Sequence, residues 1–152
     1  MAYLCISTPL GDVTLFEEDG ALIALEWGGV EGGEETPLLC TARDQLEAYF
    51  DGERQAFDLP LTPMGTAFQQ SVWAALRMIP YGQTQSYGEI AKRLGTSARA
   101  IGGACGRNPL PILIPCHRVL GQTGRLTGYS GGEGEDTKRV LLILEGALSE
   151  DA

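Results

Sequence analysis

The sequence predicts an α+β fold in two parts. Three observations carry this expectation. Short β-forming segments follow one another near the N-terminus, separated by turn residues. A stretch rich in proline and glycine, "DLPLTPMG" at 58–65, then breaks all periodicity. Beyond it most segments carry apolar residues at helical spacing. The break sets the expected boundary, with a small N-terminal α/β domain over 1–62 and a mainly helical C-terminal domain over 63–152. A chain of 152 residues is long enough to bury a core in this arrangement.

The elements follow in order. "YLCIS", "VTLFE" and "ALIALEW" are rich in β-formers and are separated by "PLGD" and "EDG", which predicts an antiparallel meander over 3–8, 13–17 and 21–27. Leu39, Leu46, Tyr49 and Phe50 suit a helix over 37–50. In "TAFQQSVWAALRMI", Phe68, Val72, Leu76 and Ile79 recur at helical intervals. "SYGE" at 86–89 is a capping box, so a helix is predicted to start at Tyr87 with Ile90, Ala91 and Leu94 on its apolar face. Gly95 stops it, and Ser97 caps a second helix over about 98–106. Two short helices joined by a tight glycine turn form a helix-turn-helix pattern. The second, "ARAIGGACG", is built of small residues that permit close approach to another backbone. Prolines at 109, 111 and 115 exclude a helix there and predict an extended segment buried by "ILI" and turning near Pro115. "GQTGRLTGYSGG" reads as a glycine-rich loop and "EDTKRVLLILEG" as a final helix.

Charge is distributed unevenly. The net charge is −9, which argues against a polyanion partner until position is considered. Residues 1–62 hold two Arg, no Lys and 13 acidic residues, whereas 77–125 hold seven basic residues and the single acid Glu89. A basic block confined to one part points to a nucleic-acid surface there, with the acidic part facing away. Arg99 falls in the first turn of its helix, against the preference of the helix dipole, and recognition helices meet DNA through that end. No apolar stretch is long enough to span a membrane, and the N-terminus lacks the pattern of a secretory signal, so a cytoplasmic location without membrane association is expected. Cysteines 5, 40, 105 and 116 are scattered without a CxxC pair, and no metal site is expected.

The only histidine, His117, follows Cys116 directly. A thiol becomes a strong nucleophile as thiolate, and a neighbouring base can generate it. If the segment were a strand, the two side chains would point to opposite faces, so contact would need a sharp bend or a bridging water. Glu145 sits in the apolar run "LLILEG" at the end of the final helix, where both burial and the helix dipole disfavour a carboxylate unless a donor meets it. His117 is a natural partner. Cys105 lies on an apolar helix face and is expected to be an inert core thiol.

"IPCHRVLG" resembles the active-site signature of the O6-alkylguanine-DNA alkyltransferases. "GTAFQQSVWAAL", "IPYGQTQSYGEIA", "RAIGGACGRNP" and "LTGYSGG" resemble further blocks of that family in the same order, and "STPLGDVTLF" and "FDLPL" resemble its N-terminal half. The resemblance implies a ribonuclease H-like sheet in the N-terminal domain and a winged helix-turn-helix in the C-terminal one. It implies a DNA repair protein that flips O6-alkylguanine, and O4-alkylthymine, out of double-stranded DNA. The alkyl group moves irreversibly to Cys116 in a single-turnover suicide reaction. His117 takes the thiol proton, Glu145 orients His117, Asn108 supports the turn that carries the site, and Tyr87 assists proton delivery to guanine. Arg99 fills the vacated place in the duplex. Ala98, Arg107 and Arg118 are expected to join Tyr87 and Arg99 in binding DNA, the two arginines as part of the basic block, and the resemblance implies that Pro111, Val119, Tyr129 and Ser130 line the base pocket. No cofactor, no metal and no obligate protein partner are implied, and a monomer is expected. The alternatives are a non-catalytic lesion-binding relative, which would lack the acceptor thiol, and a Cys–His hydrolase, which would need an oxyanion hole.

Overall fold

The structure is a computed structural model and describes residues 1–122, 124 and 134–149. The chain forms two compact units, Met1–Met64 and Gly65–Ala152.

The first unit is a three-stranded antiparallel sheet, β1 (Ala2–Thr8), β2 (Gly11–Glu18) and β3 (Ala21–Trp27), with helix α1 (Pro37–Phe50) against it. The meander arises from its turns. Asp19 and Gly20 both take positive φ, 52° and 78°, the geometry that a type I′ hairpin demands. Thr36 caps α1 by accepting from the Leu39 N–H, and Pro37 follows it at the first helical position. Ile6, Val13, Leu15, Leu22 and Leu25 are buried, as are Leu39, Ala42, Leu46 and Tyr49 of α1. The "LPL" segment runs parallel beside β3, with Leu22 N–H donating to the Pro60 carbonyl and Thr62 N–H to the Leu22 carbonyl.

The second unit holds α2 (Ala67–Arg77), β4 (Gln85–Ser86), α3 (Tyr87–Leu94), α4 (Ala98–Gly106), a single 3₁₀ turn at Cys116–Arg118, β5 (Val119–Leu120) and α5 (Glu135–Leu144). The start of α3 is the expected capping box: Ser86 accepts from the Glu89 N–H, and Glu89 accepts from the Ser86 N–H. Gly95 ends α3 in the left-handed conformation at φ 69°, and Ser97 caps α4. Helices α3 and α4 pack on one another as a helix-turn-helix. The core gathers Val72, Trp73, Leu76 and Ile79 with Ile90, Ile101, Leu110, Ile114, Val119, Leu141 and Leu142. The Trp73 indole donates to the Ala104 carbonyl at 2.9 Å, tying α2 to α4. Phe68 does not join this face; it is exposed, and Trp73, one residue beyond Val72, is buried instead.

The proline-rich segment departs from expectation. It is not extended: the chain reverses at Ile112–Leu113, with Ile112 at φ 73° and Ile114 N–H bonded back to the Leu110 carbonyl. A β-branched residue in the left-handed region is strained and persists only where its surroundings over-determine it. Here they do, because Asn108 pins both ends of the turn. Its Nδ2 donates to the Ile114 carbonyl at 2.8 Å, and its Oδ1 accepts from the Leu110 N–H at 2.9 Å.

Candidate active site

Cys116 opens the 3₁₀ turn that follows this reversal and is buried, at 7% exposure. Its N–H donates to the Ile114 carbonyl, the same oxygen that Asn108 holds. After the turn, Val119 and Leu120 pair in parallel with Gln85 and Ser86, directly before Tyr87. The Cys116 turn is therefore fixed at both ends, by Asn108 just beyond α4 and by the strand pair that leads into α3.

The turn sends His117 and Arg118 inward to meet Glu145, the residue that caps the C-terminus of α5. His117 Nε2 lies 2.8 Å from Glu145 Oε2, with both side chains fully buried. Arg118 closes the same carboxylate as a fork, Nε to Oε1 at 2.8 Å and Nη2 to Oε2 at 2.9 Å, and its Nη1 donates to the Ile79 carbonyl at 2.7 Å. The carboxylate at the negative end of a helix is thus met by a guanidinium as well as an imidazole. Arg118 departs from the expected exposed DNA contact: its side chain is buried, and its Nε, Nη1 and Nη2 each donate to an interior acceptor.

This arrangement fixes the histidine tautomer. Burial pushes the imidazole below the usual histidine range, although the hydrogen bond to Glu145 opposes the shift. The neutral ring donates from Nε2 to the carboxylate, which leaves a lone pair on Nδ1. Nδ1 is buried and has no hydrogen-bond partner among the described residues. A buried basic nitrogen of this kind is satisfied by water or by a proton to be taken. Burial also pushes the Cys116 thiol up, opposed by hydrogen bonding from Asn108 and by the positive charge of Lys138. The thiol is therefore protonated at rest and needs a base. Cys105 is buried, with its thiol pushed up to about 12 chiefly by desolvation.

A groove of about 790 Å³ lies along the helix-turn-helix, with Tyr87, Ala98, Arg99 and Gly102 among its walls. Tyr87 and Arg99 face one cavity from the first turns of α3 and α4. Arg107, at the C-terminal cap of α4, is exposed, while Pro111 and Val119 are buried close to Cys116 in the chain. Tyr129 and Ser130 lie outside the described residues. No group of three or more metal-ligating side chains occurs among the described residues.

Known proteins are similar to this chain in sequence and in fold. Two family profiles match end to end: 6-O-methylguanine DNA methyltransferase, ribonuclease-like domain, over residues 1–63, and 6-O-methylguanine DNA methyltransferase, DNA binding domain, over 67–147. The methylated-DNA–protein-cysteine methyltransferase of Methanosarcina acetivorans is 44% identical, covering 97% of this chain and 99% of its own. The chain belongs to the O6-alkylguanine-DNA alkyltransferase family. The constitutive methylated-DNA–protein-cysteine methyltransferase of Bacillus subtilis, another member, is 45% identical over 94% of both chains. A crystal structure of Mycobacterium tuberculosis OGT in complex with DNA superposes with a TM-score of 0.85 at 46% identity, covering 97% of this chain and 94% of that one. Both the ribonuclease-like N-terminal sheet and the helical DNA-binding part agree with the expected alkyltransferase fold.

One residue of this alkyltransferase site escaped the sequence reading. Lys138 is fully buried on α5, and its Nζ lies 3.4 Å from the Tyr87 hydroxyl. The signal was present: Lys138, Leu141, Leu142 and Glu145 fall at i, i+3, i+4 and i+7, one stripe of the helix. A stripe whose middle is core and whose ends are charged buries those charges too.

Proposed function

We propose that this chain repairs alkylated DNA by moving the alkyl group from guanine O6 onto Cys116, once per molecule. The observation that supports the reading best is the buried Cys116–His117–Glu145 arrangement in the unit whose helix-turn-helix carries Tyr87 and Arg99 on one groove. The target base is out of reach within a stacked duplex and has to be flipped. Arg99 enters the duplex in its place, with Ala98 on the same helix start letting the backbone come close. Exposed Lys92, Arg93 and Arg107 meet phosphates.

In the pocket His117 Nδ1 takes the Cys116 proton through one water, while Glu145, held by Arg118, orients the ring. The sulfur attacks the alkyl carbon, the C–O6 bond breaks with its electrons on the guanine, and Tyr87 supplies a proton to the leaving base. Attack is at an sp³ carbon, so no oxyanion hole is required. Pro111 and Val119 wall the pocket. The thioether product is stable and nothing regenerates the thiol. O4-alkylthymine presents the same kind of alkyl oxygen and falls within the same reading. The chain acts as a monomer in the cytosol, a compartment that keeps the thiol reduced.

The test is intact-mass spectrometry after mixing the protein with a duplex carrying O6-methylguanine. The expected result is one added methyl, about 14 Da from the chemistry of methyl-for-hydrogen exchange, mapped to Cys116 and absent in Cys116→Ala. An unchanged mass with tight lesion-selective binding would instead assign a non-catalytic lesion binder, a reading that the presence of the Cys116 thiol disfavours. DNA affinity is expected to fall on the order of 100-fold between about 50 and about 200 mM salt if roughly four phosphates are contacted. Affinity that stays level across that range would rule out the basic helix-turn-helix face as the binding surface.

A further inference from the structure

Helix α5 ends against the segment at 79–82, part of a turn closed by the Gln83 N–H on the Pro80 carbonyl. The last carbonyls of a helix lack partners within it. Here the N–H groups of Glu145, Ala147 and Gly146 take those of Leu141, Leu142 and Ile143, and the carbonyl of Leu144 accepts from the Tyr81 hydroxyl at 3.2 Å. Burial, and then the charge of Glu145, push that hydroxyl up, so it remains a donor at neutral pH. Gly82, at φ 82°, comes so close that an added Cβ would stand 3.2 Å from the Glu145 carbonyl oxygen. The Ile79 carbonyl holds Arg118 Nη1, while Nε and Nη2 are on Glu145. Each guanidinium nitrogen thus has a partner, and what remains to be covered is the face of the group. The Tyr81 ring lies there, its centre 5.9 Å from Arg118 Cζ, the placement of a cation over an aromatic ring.

We propose that Tyr81 is a positioning residue of the alkyl transfer: its ring covers the Arg118 guanidinium, its hydroxyl ties that cover to the end of α5, and the Arg118–Glu145 pair that holds His117 is thereby shielded from water. The proposal rests on the alkyl-transfer reading above. Tyr81 acts through Arg118 and Glu145, not on the reacting atoms. Its effect is read in the proton affinity of His117. The charged and titratable groups around that ring are Glu145 and Lys138 from α5, with Cys116 and Arg118 on its own turn. Helix α2, also packed on the turn, offers the buried Val72, Trp73 and Leu76, none of them titratable. Burial lowers the proton affinity of His117 most, Arg118 and Lys138 lower it further, and Glu145 opposes them. Removing the cover admits water to the pair. Water relieves the burial and screens the guanidinium, and both changes raise the affinity. It also weakens the influence of Glu145, which acts the other way. Burial is the larger influence, so the net shift is upward.

The chain has a single histidine, so histidine ring signals in an NMR titration report on His117 alone. The test follows them against pH in the full chain, for the wild type, Tyr81→Phe and Tyr81→Ala. Single-turnover methyl transfer from an O6-methylguanine duplex and thermal melting are measured on the same proteins. The wild type is expected to titrate below the ordinary value of 6.5. In Tyr81→Ala the midpoint is expected to rise by about one pH unit. At a pH below both midpoints its transfer rate, relative to its own plateau, then falls about tenfold further than that of the wild type. Tyr81→Phe keeps the ring and is expected to keep the wild-type midpoint, melting somewhat lower for the lost bond to Leu144. Should Tyr81→Ala not fold, Tyr81→Asn, a residue suited to a turn, replaces it with the same expectation. A wild-type midpoint in Tyr81→Ala, whatever its melting temperature, would overturn the proposal and leave Tyr81 a purely structural residue. A shift in Tyr81→Phe as large as in Tyr81→Ala would overturn it too, since the ring is still present. A wild type whose histidine titrates as expected but that transfers no methyl would refute the underlying function instead.

Discussion

Glu145→Ala is expected to cost about 3–5 kcal/mol of folding stability, the range for removing one partner of a buried ion pair. The expectation follows from what the carboxylate meets. Its side chain is fully buried, it accepts the His117 Nε2 proton, and it takes both arms of the Arg118 guanidinium. Without it, Arg118 is an uncompensated interior cation whose remaining acceptor is the Ile79 carbonyl. The helix itself is not the cause, since alanine at the end of α5 is a good helix former. Glu145→Gln should fall between, because one amide oxygen can still accept while its NH₂ confronts donors. Chemical denaturation read at constant slope measures the difference. A Glu145→Ala variant within about 0.5 kcal/mol of wild type, the ordinary size of a surface change, would mean that Arg118 finds water on losing its partner and is not held inside. Methyl transfer by Glu145→Ala should be lost with the orientation of His117, even at temperatures where the variant remains folded.

The same cluster shows how far the sequence could be read. Local signals with a fixed geometry were legible: the Ser86–Glu89 capping box, the Gly95 stop, the Ser97 cap and the Asp19–Gly20 turn each appear where their residue types require. So was the demand that Glu145 find a donor, because a carboxylate in an apolar run at a helix C-terminus is unfavourable on two counts. What period and propensity cannot reach is the direction of side chains in a non-repetitive segment. Ile112 at positive φ and the 3₁₀ turn at 116–118 are imposed by Asn108 and by the β4–β5 pairing, which are tertiary facts. That turn, not a strand, sends Arg118 inward beside His117. Counting basic residues placed Arg118 on the DNA face, since a charge count does not distinguish inside from outside. Lys138 was missed for the complementary reason: the final helix was read for its apolar middle and for Glu145 at its end, and the charge at the other end of that inward stripe went unused.

His117→Gln is expected to reduce the methyl-transfer rate by about 10²–10⁴-fold, the usual contribution of a positioned general base. Glutamine can still donate to Glu145, so the fold should survive and the loss should be chemical. The wild-type pH dependence carries the sign. Burial is the leading influence on His117 and lowers its affinity for a proton, so the Nδ1 lone pair is present at neutral pH and is lost only as pH falls below the ordinary histidine value of about 6.5. The transfer rate should therefore decline on the acid side, and that histidine limb should be absent from His117→Gln. Stability follows the same linkage. Below about 6.5 the unfolded chain binds a proton on this histidine that the folded chain refuses until lower pH, so the wild type loses stability through that window as pH falls. His117→Gln should lack this component and keep only the losses that carboxylates cause at lower pH. Single-turnover rates and melting curves at pH 5–8 measure both effects on one pair of proteins. A variant that transfers methyl within about threefold of wild type, well under the range for a general base, would remove His117 from the proton path and leave the thiolate to the field of Lys138 and the Asn108 hydrogen bond.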